Sequence, residues 1–303
     1  MKRRVVQHGP STLIFSLPSK WVKTHNISKG DELEVEEHGK NLIVKTHKKP
    51  INLKSEVTIN PNTPITPRLL GALYKKGYDE IRINFKDIET LSLIQQELKE
   101  QVGFEIVEQY NDYCLIKTIV GEYDSEFDSM LKRLFSQLLV MNDGIISAIK
   151  NKECLLLPNI RHLEKDNNKY TCFCRRILNK GGGLHSPNNL TLLYCAVEEL
   201  EKIGDEYKYL CDFLIEKNLE CINTKVIFIF EELHKLITST HELFFAYSKG
   251  KIIETFNLRK QLISDCFDLY DSVSKKDLMM LEYAKKITQM CANILSFKMT
   301  MEM

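Results

Sequence analysis

The spacing of apolar residues divides the chain into three parts. Alternating apolar and polar residues over 1–48 predict a small β-rich module, which we call the head. Residues 49–121 mix strand-like and helix-like stretches, and residues 122–303 keep a helical spacing throughout. The predicted fold class is therefore multidomain α+β, with a β head, a small α/β middle domain and an all-α C-terminal six-helix bundle.

The head is predicted to contain short strands and one short helix. Leu13, Phe15 and Leu17 are separated by single residues, which is the spacing of a β-strand. The following sequence SKWVKTH predicts a short helix that Ser19 caps. Two more strands are predicted on either side of a turn at residues 38–41. Because so small a module buries little apolar surface by itself, we expect the head to dimerise.

Residues 49–121 alternate between strand and helix patterns after a proline-rich linker that includes Pro61 and Pro64. The predicted strands cover residues 56–59, 80–85, 104–109 and 113–119, and the predicted helices cover residues 67–76 and 88–101. This alternation is typical of a small α/β sandwich. No glycine-rich phosphate loop or ligand cluster occurs in it, so we expect a spacer or a dimerisation unit.

From residue 124 onward, apolar residues recur every three or four positions. The first such series is Phe127, Leu131, Leu134, Leu138, Met141, Ile145 and Ala148. This spacing predicts the core-facing seam of a bundled helix. Further helices are predicted over residues 159–179, 190–218, 223–248, 251–272 and 276–299. The helices divide into two triplets, 124–218 and 223–300, which predicts an internal three-helix repeat.

A near-neutral net charge of +1 conceals a basic head. Residues 1–50 contain ten Lys or Arg and five Asp or Glu, so residues 51–303 carry a net charge of −4. Charge asymmetry of this kind favours a polyanionic partner for the head.

Three motifs follow one another in the head: a Gly-x-Ser-Thr turn at 9–12, a Leu-Pro-Ser-Lys-Trp step into the helix, and Ile-Ser-Lys-Gly-Asp-Glu-Leu-Glu-Val at 27–35. Their order and spacing resemble the AbrB/MazE/SpoVT family of swapped-hairpin DNA-binding domains. The resemblance implies a homodimer, or a higher homo-oligomer, that presents its first strand and helix start to double-stranded DNA. The residues it assigns to DNA are Lys2, Arg3, Arg4, Ser11, Thr12, Lys20 and Lys23.

Those side chains have the chemistry of a phosphate-binding surface. Lys and Arg neutralise phosphates and release counterions, and hydroxyl groups fix the register on the backbone. This chain has Pro10 where the family often has an arginine after the turn glycine, so one expected phosphate contact is missing. The alternative is that the cations only keep a small dimer soluble. The concentration of charge at one end of the chain favours DNA binding.

The third predicted bundle helix contains Val-Glu-Glu-Leu-Glu-Lys-Ile-Gly-Asp-Glu-Tyr at 197–207. This stretch resembles the helix signature of PhoU proteins, which are phosphate-signalling bundles of two three-helix repeats. Together, head and bundle resemble the archaeal phosphate uptake regulator-like architecture. The resemblance implies a DNA-binding transcriptional regulator of phosphate uptake or a related response, with the bundle as sensor or relay.

The PhoU resemblance also implies a divalent or iron-type metal ion at the bundle surface. Glu201 and Asp205 stand one helical turn apart and can share a hard cation, with Asp166 as a neighbouring ligand. In the second repeat, Lys285 occupies the corresponding ligand position, so no metal is expected there. The alternative is that Glu201 and Asp205 belong to a solvated face opposite the apolar stripe of their helix.

Two other functions compete with DNA-binding regulation. In one, the chain is a signalling adaptor whose bundle binds a phosphate-transporter ATPase or a sensor kinase, while the head mainly dimerises. In the other, it is an antitoxin, because some heads of this type belong to toxin–antitoxin pairs. Antitoxins of that sort end in a disordered tail, whereas residues 124–300 have helical periodicity, which argues against this function.

The remaining signals exclude classes of protein. Nine cysteines without a signal peptide favour reduced thiols in the cytoplasm. Cys172-x-Cys174 lacks the second pair of a zinc site, and Glu231-x-x-His234 lacks the second copy of a di-iron site. The dense apolar run Val226–Phe230 is too short for membrane insertion. No nucleophile and base can be paired from the sequence, so we do not expect an enzyme.

Overall fold

The computed structural model describes residues 2–46, 53–58, 66–119, 126–181, 186, 188–217 and 222–303 of the 303-residue chain. The chain forms two compact units, residues 1–53 and 54–303. The predicted middle domain and the bundle thus belong to one unit, and the division of the chain into three domains stays a prediction. Pro61 and Pro64 of the predicted linker lie outside the described residues.

The head folds into two antiparallel hairpins separated by a short helix. Its elements are β1 (Val6–His8), β2 (Thr12–Ile14), α1 (Ser19–Thr24), β3 (Glu34–His38) and β4 (Asn41–Lys45). Strand β1 pairs with β2, and β3 pairs with β4. The first turn uses Gly9 at φ +77°, a conformation that glycine adopts without steric penalty. The N-cap of α1 is Pro18 without a side-chain hydrogen bond, so the predicted cap at Ser19 is wrong.

A single copy of the head has no core of its own. Among the side chains described in residues 2–46, none is buried. The strand residues Leu13, Val35 and Leu42 are 70%, 57% and 56% exposed. Apolar strand faces of this kind are covered by a partner surface in small stable β modules.

Residues 54–119 form a four-stranded sheet with two helices. In sheet order the strands are β5 (Lys54–Thr58), β6 (Glu80–Asn84), β8 (Tyr113–Thr118) and β7 (Phe104–Gln109), and the helices are α2 (Thr66–Lys76) and α3 (Ile88–Leu98). Strands β5 and β6 run parallel, and the other neighbours run antiparallel. Ile81, Ile83 and Phe85, which are separated by single residues, are buried. Asp87 caps α3 by accepting a 2.8 Å hydrogen bond from the Thr90 amide.

The described residues from 126 to 303 form a bundle of six α-helices. Its helices are α4 (Phe127–Asn151), α5 (Leu157–Asn179), α6 (Leu190–Lys217), α7 (Thr224–Phe245), α8 (Lys249–Asp268) and α9 (Lys275–Met301). Every residue of the predicted seam from Phe127 to Ala148 is buried. Helix α4 packs on α7, and α6 packs on α9, so equivalent helices of the two triplets meet in the centre. Within the described part of the chain, no helix has the length and apolarity that crossing a bilayer requires.

A buried arginine joins the sheet to the bundle. Arg176 of α5 is 1% exposed and donates to the carbonyl oxygens of Tyr74 at 2.9 Å and Tyr78 at 2.7 Å. Its other terminal nitrogen donates to Asp79 Oδ1 at 2.6 Å and to Thr118 Oγ1 at 3.1 Å. Since α2 also packs along α5, residues 54–119 are fastened to the bundle by both apolar and charged contacts.

Candidate nucleic-acid interface

Three of the predicted DNA-binding cations precede the first strand. Lys2, Arg3 and Arg4 are exposed in an irregular segment that ends at β1, which begins at Val6. These three charges therefore form an arm ahead of the strand and are not part of the strand itself. Such an arm lets long side chains reach a phosphate backbone without disturbing strand pairing.

The two predicted hydroxyl donors lie at the tip of the first hairpin. Ser11 is exposed in the turn, and Thr12 is the exposed first residue of β2, opposite His8. The side chain of Gln7 donates to the Pro10 carbonyl oxygen at 3.4 Å across the same turn. Both hydroxyl groups can therefore donate outward from a fixed turn.

The remaining two cations lie on α1. Lys20 and Lys23 are exposed, whereas Trp21 and Val22 between them are half-buried. Residues three apart lie on the same side of a helix, so the two ammonium groups share one side of α1. Trp21 stacks obliquely against His25, with ring centroids 5.1 Å apart, which orders the opposite side of the helix.

The charges on these five residues are not neutralised within the head. Among residues 2–46, no carboxylate forms an ion pair with Lys2, Arg3, Arg4, Lys20 or Lys23. Lys45 behaves differently, because its ammonium group donates to Glu36 on the neighbouring strand and this hydrogen bond raises the pKa of Lys45. The arm and α1 thus offer cations to an external anion, whereas the second hairpin partly neutralises its own.

The three predicted metal ligands do not converge in the bundle. Asp166 of α5 is exposed to solvent. Glu201 of α6 pairs with Arg175, and Asp205 lies 2.5 Å from the Lys208 ammonium group. Among the described residues, no three His, Cys, Asp or Glu side chains are grouped so that they could hold a metal ion. The donor set therefore does not fit the metal that the PhoU resemblance implies.

The alternative of a solvated face is also inaccurate, because α6 turns these carboxylates toward α5. Arg175 is 2% exposed, and its Nε lies 2.8 Å from Glu198 Oε1. The Lys208 ammonium group lies 2.9 Å from Glu164, which is 7% exposed. Burial disfavours the charged form of Lys208, but hydrogen bonds to Asp205 and Glu164 outweigh it and raise the pKa of Lys208 to about 12.

The two weaker metal motifs have ordinary structural roles in the described residues. Cys174 is buried, and burial raises the pKa of its thiol well above the usual value, so the thiol stays protonated. The pKa of Cys172 is raised for the same reason. Glu231 pairs with Lys150, and His234 Nδ1 lies 2.9 Å from Asp143 Oδ1, so each of these two side chains has a partner on α4.

Comparison with known proteins connects these two regions to families. A family model described as antidote-toxin recognition MazE, bacterial antitoxin, matches residues 7–52. The phosphate transport system regulatory protein PhoU from Streptococcus pneumoniae aligns with a TM-score of 0.50 and 13% identity, over 59% of this chain and 94% of that chain. The chain joins a MazE-type head to a PhoU-like helical fold.

A PhoU-like protein from Shewanella oneidensis MR-1 aligns at a TM-score of 0.38 and 15% identity, over 56% of this chain and 95% of that chain. A search of curated proteins found no match. The archaeal character of the architecture stays a prediction.

The sequence interpretation missed the cations that oppose the PhoU-like carboxylates. Lys208 follows Asp205 at a spacing of three residues, which places both on one side of a helix and was readable from the sequence. Arg175 and Arg176 are adjacent but bind different partners: Arg175 pairs with Glu198 of α6, and Arg176 pairs with Asp79 next to the sheet. These different partners become visible only in the structure, where α5 packs against both α6 and the sheet domain.

Proposed function

We propose that the chain is a DNA-binding transcriptional regulator that acts as a homodimer. The MazE-type head binds double-stranded DNA, and the PhoU-like bundle senses or relays a signal. The observation that carries this proposal is the set of five exposed cations on the arm and α1, none of which has a carboxylate partner within residues 2–46. Phosphates supply the anions that such a surface lacks.

The proposal of a dimer rests on the exposure of the head: no side chain described in residues 2–46 is buried in a single copy. Exposed apolar residues on both hairpins, among them Leu13 and Leu42, leave the strands of one copy incompletely covered. A second copy would cover them and would place two basic arms on one particle. Two-fold symmetric heads fit two half-sites on a DNA duplex.

The signal is proposed to be phosphate uptake or a related response. The Streptococcus pneumoniae protein with the similar fold is described as a regulatory protein of a phosphate transport system. In this chain, the bundle would change DNA affinity by altering the spacing of the two heads. An effector can do so only if it binds the two arrangements with different affinity.

A second candidate is a PhoU-like signalling adaptor that binds a phosphate-transport or signalling protein. The exposed apolar strands of the head are also consistent with this adaptor, because they would let the head dimerise even if it did not bind DNA. The matched family is described as an antitoxin. We do not propose that function, since the residues after the head form folded helices rather than a disordered tail.

Fluorescence anisotropy with upstream duplex DNA separates the regulator from the adaptor. We expect Arg3→Ala/Arg4→Ala and Lys20→Ala/Lys23→Ala each to weaken binding by about tenfold or more at ~200 mM salt. The slope of log K against log salt should become shallower by about 0.9 for each phosphate that the variant no longer neutralises. The full-length protein is measured at about 50 mM and about 200 mM salt, where counterion release is readily resolved.

Lys29→Ala/Lys40→Ala is the matched control, because both lysines are exposed in the head but lie outside the proposed surface. We expect it to change affinity and slope less than either test variant. An equal loss in all three variants would show that only net charge matters. No affinity for DNA at low salt, together with co-purification of a transporter ATPase or sensor kinase, would favour the adaptor.

A further inference from the structure

Between α5 and α6, where the PhoU resemblance implies a metal, two cations are each paired with two carboxylates. Glu201 faces Arg175, and Asp205 faces Lys208. Each cation also has a second carboxylate, Glu198 for Arg175 and Glu164 for Lys208. A divalent ion bound at these oxygens would have to displace a side-chain cation.

Burial makes this displacement unfavourable. The side chains of Arg175 and Lys208 are 3% and 17% exposed, so their charges lie largely out of water. If a metal ion took the carboxylates of Arg175 or Lys208, that cation would be left unpaired and largely buried, which is energetically costly. The same pairing balances Glu164, whose side chain is only 10% exposed.

The second repeat has a lysine at one of the corresponding positions and an arginine bound to the side chain at the other. Lys285, which aligns with Glu201, lies 3.1 Å from Glu282 and also donates to Tyr270. Gln289, which aligns with Asp205, accepts a 2.5 Å hydrogen bond from Arg259 of α8. Both helix pairs, α5–α6 and α8–α9, thus have a side-chain cation in the region where the PhoU resemblance implies a metal.

We propose that Arg175 and Lys208 take the place of the metal ion in this bundle, so that its fold and its signalling are independent of metal. Lys208 is the closest substitute for an ion, because one ammonium group bridges carboxylates of two helices, Glu164 on α5 and Asp205 on α6. Removing Lys208 leaves the carboxylates of Glu164 and Asp205 without their shared cation, although the Asn168 side-chain amide nitrogen still donates to Glu164 Oε1 at 2.6 Å. Carboxylate oxygens suit a hard divalent cation.

The test compares full-length wild type with Lys208→Ala, using Mn²⁺ as the probe. In wild type, we expect the same Tm in EDTA and in Mn²⁺, and no saturable Mn²⁺ binding in titration calorimetry. Lys208→Ala should lose stability in EDTA, regain it with Mn²⁺, and show saturable Mn²⁺ binding under the conditions in which wild type shows none. If the variant folds only when Mn²⁺ is present, the proposal is supported in the same way.

Lys202→Ala is the control, since it removes a lysine from the same helix but one that pairs with Glu199 instead. Lys208→Gln provides a neutral replacement of similar length in case the alanine variant aggregates. Saturable Mn²⁺ binding to wild type that Asp205→Asn abolishes would overturn the proposal. A Mn²⁺ response of Lys208→Ala and Lys208→Gln no larger than that of Lys202→Ala would overturn it too. The test does not involve DNA, so its result is independent of the proposed regulatory function.

Discussion

At the scale of single residues, the glycine in the PhoU-like stretch has a packing role. A Cβ on Gly204 would lie 2.8 Å from Cγ of Asn167 on α5, which is closer than side chains tolerate. Asn167 is fully buried and donates to the Leu200 carbonyl oxygen at 3.4 Å. The glycine therefore lets α5 approach α6 closely enough for Arg175 and Lys208 to reach their carboxylates.

Arg176 is the residue whose loss should destabilise the larger unit most clearly. Arg176→Met removes the donor to the carbonyl oxygens of Tyr74 and Tyr78 and one of the two cations beside Asp79, while Lys180 remains 2.6 Å from that carboxylate. We expect the free energy of unfolding to fall by about 3 kcal/mol, since buried acceptors lose a charged donor. Urea unfolding followed by circular dichroism measures the change.

Arg161→Met is the comparison for that experiment. Its guanidinium pairs with Asp212, but the side chain is 43% exposed. Exposed ion pairs contribute less than about 1 kcal/mol. Equal effects of the two substitutions would mean that the contacts of Arg176 with the sheet add nothing to stability.

At the scale of elements, amphipathic helices were predicted more completely than the strands of the head. The predicted bundle helices agree with α4 to α9 to within a few residues, because a stripe repeating every three or four positions is a property of local sequence. In the head, alternation predicted a strand over residues 12–17, but β2 ends at Ile14. Alternating apolar residues indicate which side chains are buried when a strand packs against another surface. The end of a strand is set by where its hydrogen bonds to the neighbouring strand stop.

The exposed faces of the hairpins lead to a prediction about self-association. Leu13→Asp/Leu42→Asp should shift the full-length protein from dimer to monomer, because each leucine buried in a dimer contributes about 1.5–3 kcal/mol and each is present twice. Sedimentation equilibrium would detect a dissociation constant raised by about a hundredfold or more. Leu155→Asp is the control, since Leu155 is 89% exposed between α4 and α5. A double variant that remains as dimeric as the control would place the dimer contacts outside the hairpins.

At the scale of the whole molecule, the sheet and the bundle belong to one unit and the head to another. Sequence patterns predicted a boundary near residue 121 because periodicity changes there. In the structure, residues 54–119 pack against the bundle within the larger unit, and the division of the chain into three domains stays a prediction. Helix α2 and the Arg176 contacts supply that packing.

Hydrogen exchange can test this division. Amides of β6, β8 and α5 should approach a common opening free energy, within about 1 kcal/mol, as denaturant is added, because they open in one cooperative step. Amides of β3 and β4 should follow a separate and lower isotherm. The common opening would be refuted if β8 became unprotected well before α5, which would make residues 54–119 an independently opening domain.

The sequence alone determined the element types, the apolar seam of the bundle, the basic head and the resemblances to AbrB-type and PhoU proteins, because each depends on residue order within a few turns. Tertiary structure decided the partners of the polar groups. A carboxylate such as Glu201 has the same local sequence whether water, a metal or Arg175 faces it. The choice depends on which helix packs opposite, and that contact joins residues 26 positions apart. Because α5 packs against α6, two of the predicted metal ligands, Glu201 and Asp205, form ion pairs with Arg175 and Lys208 instead.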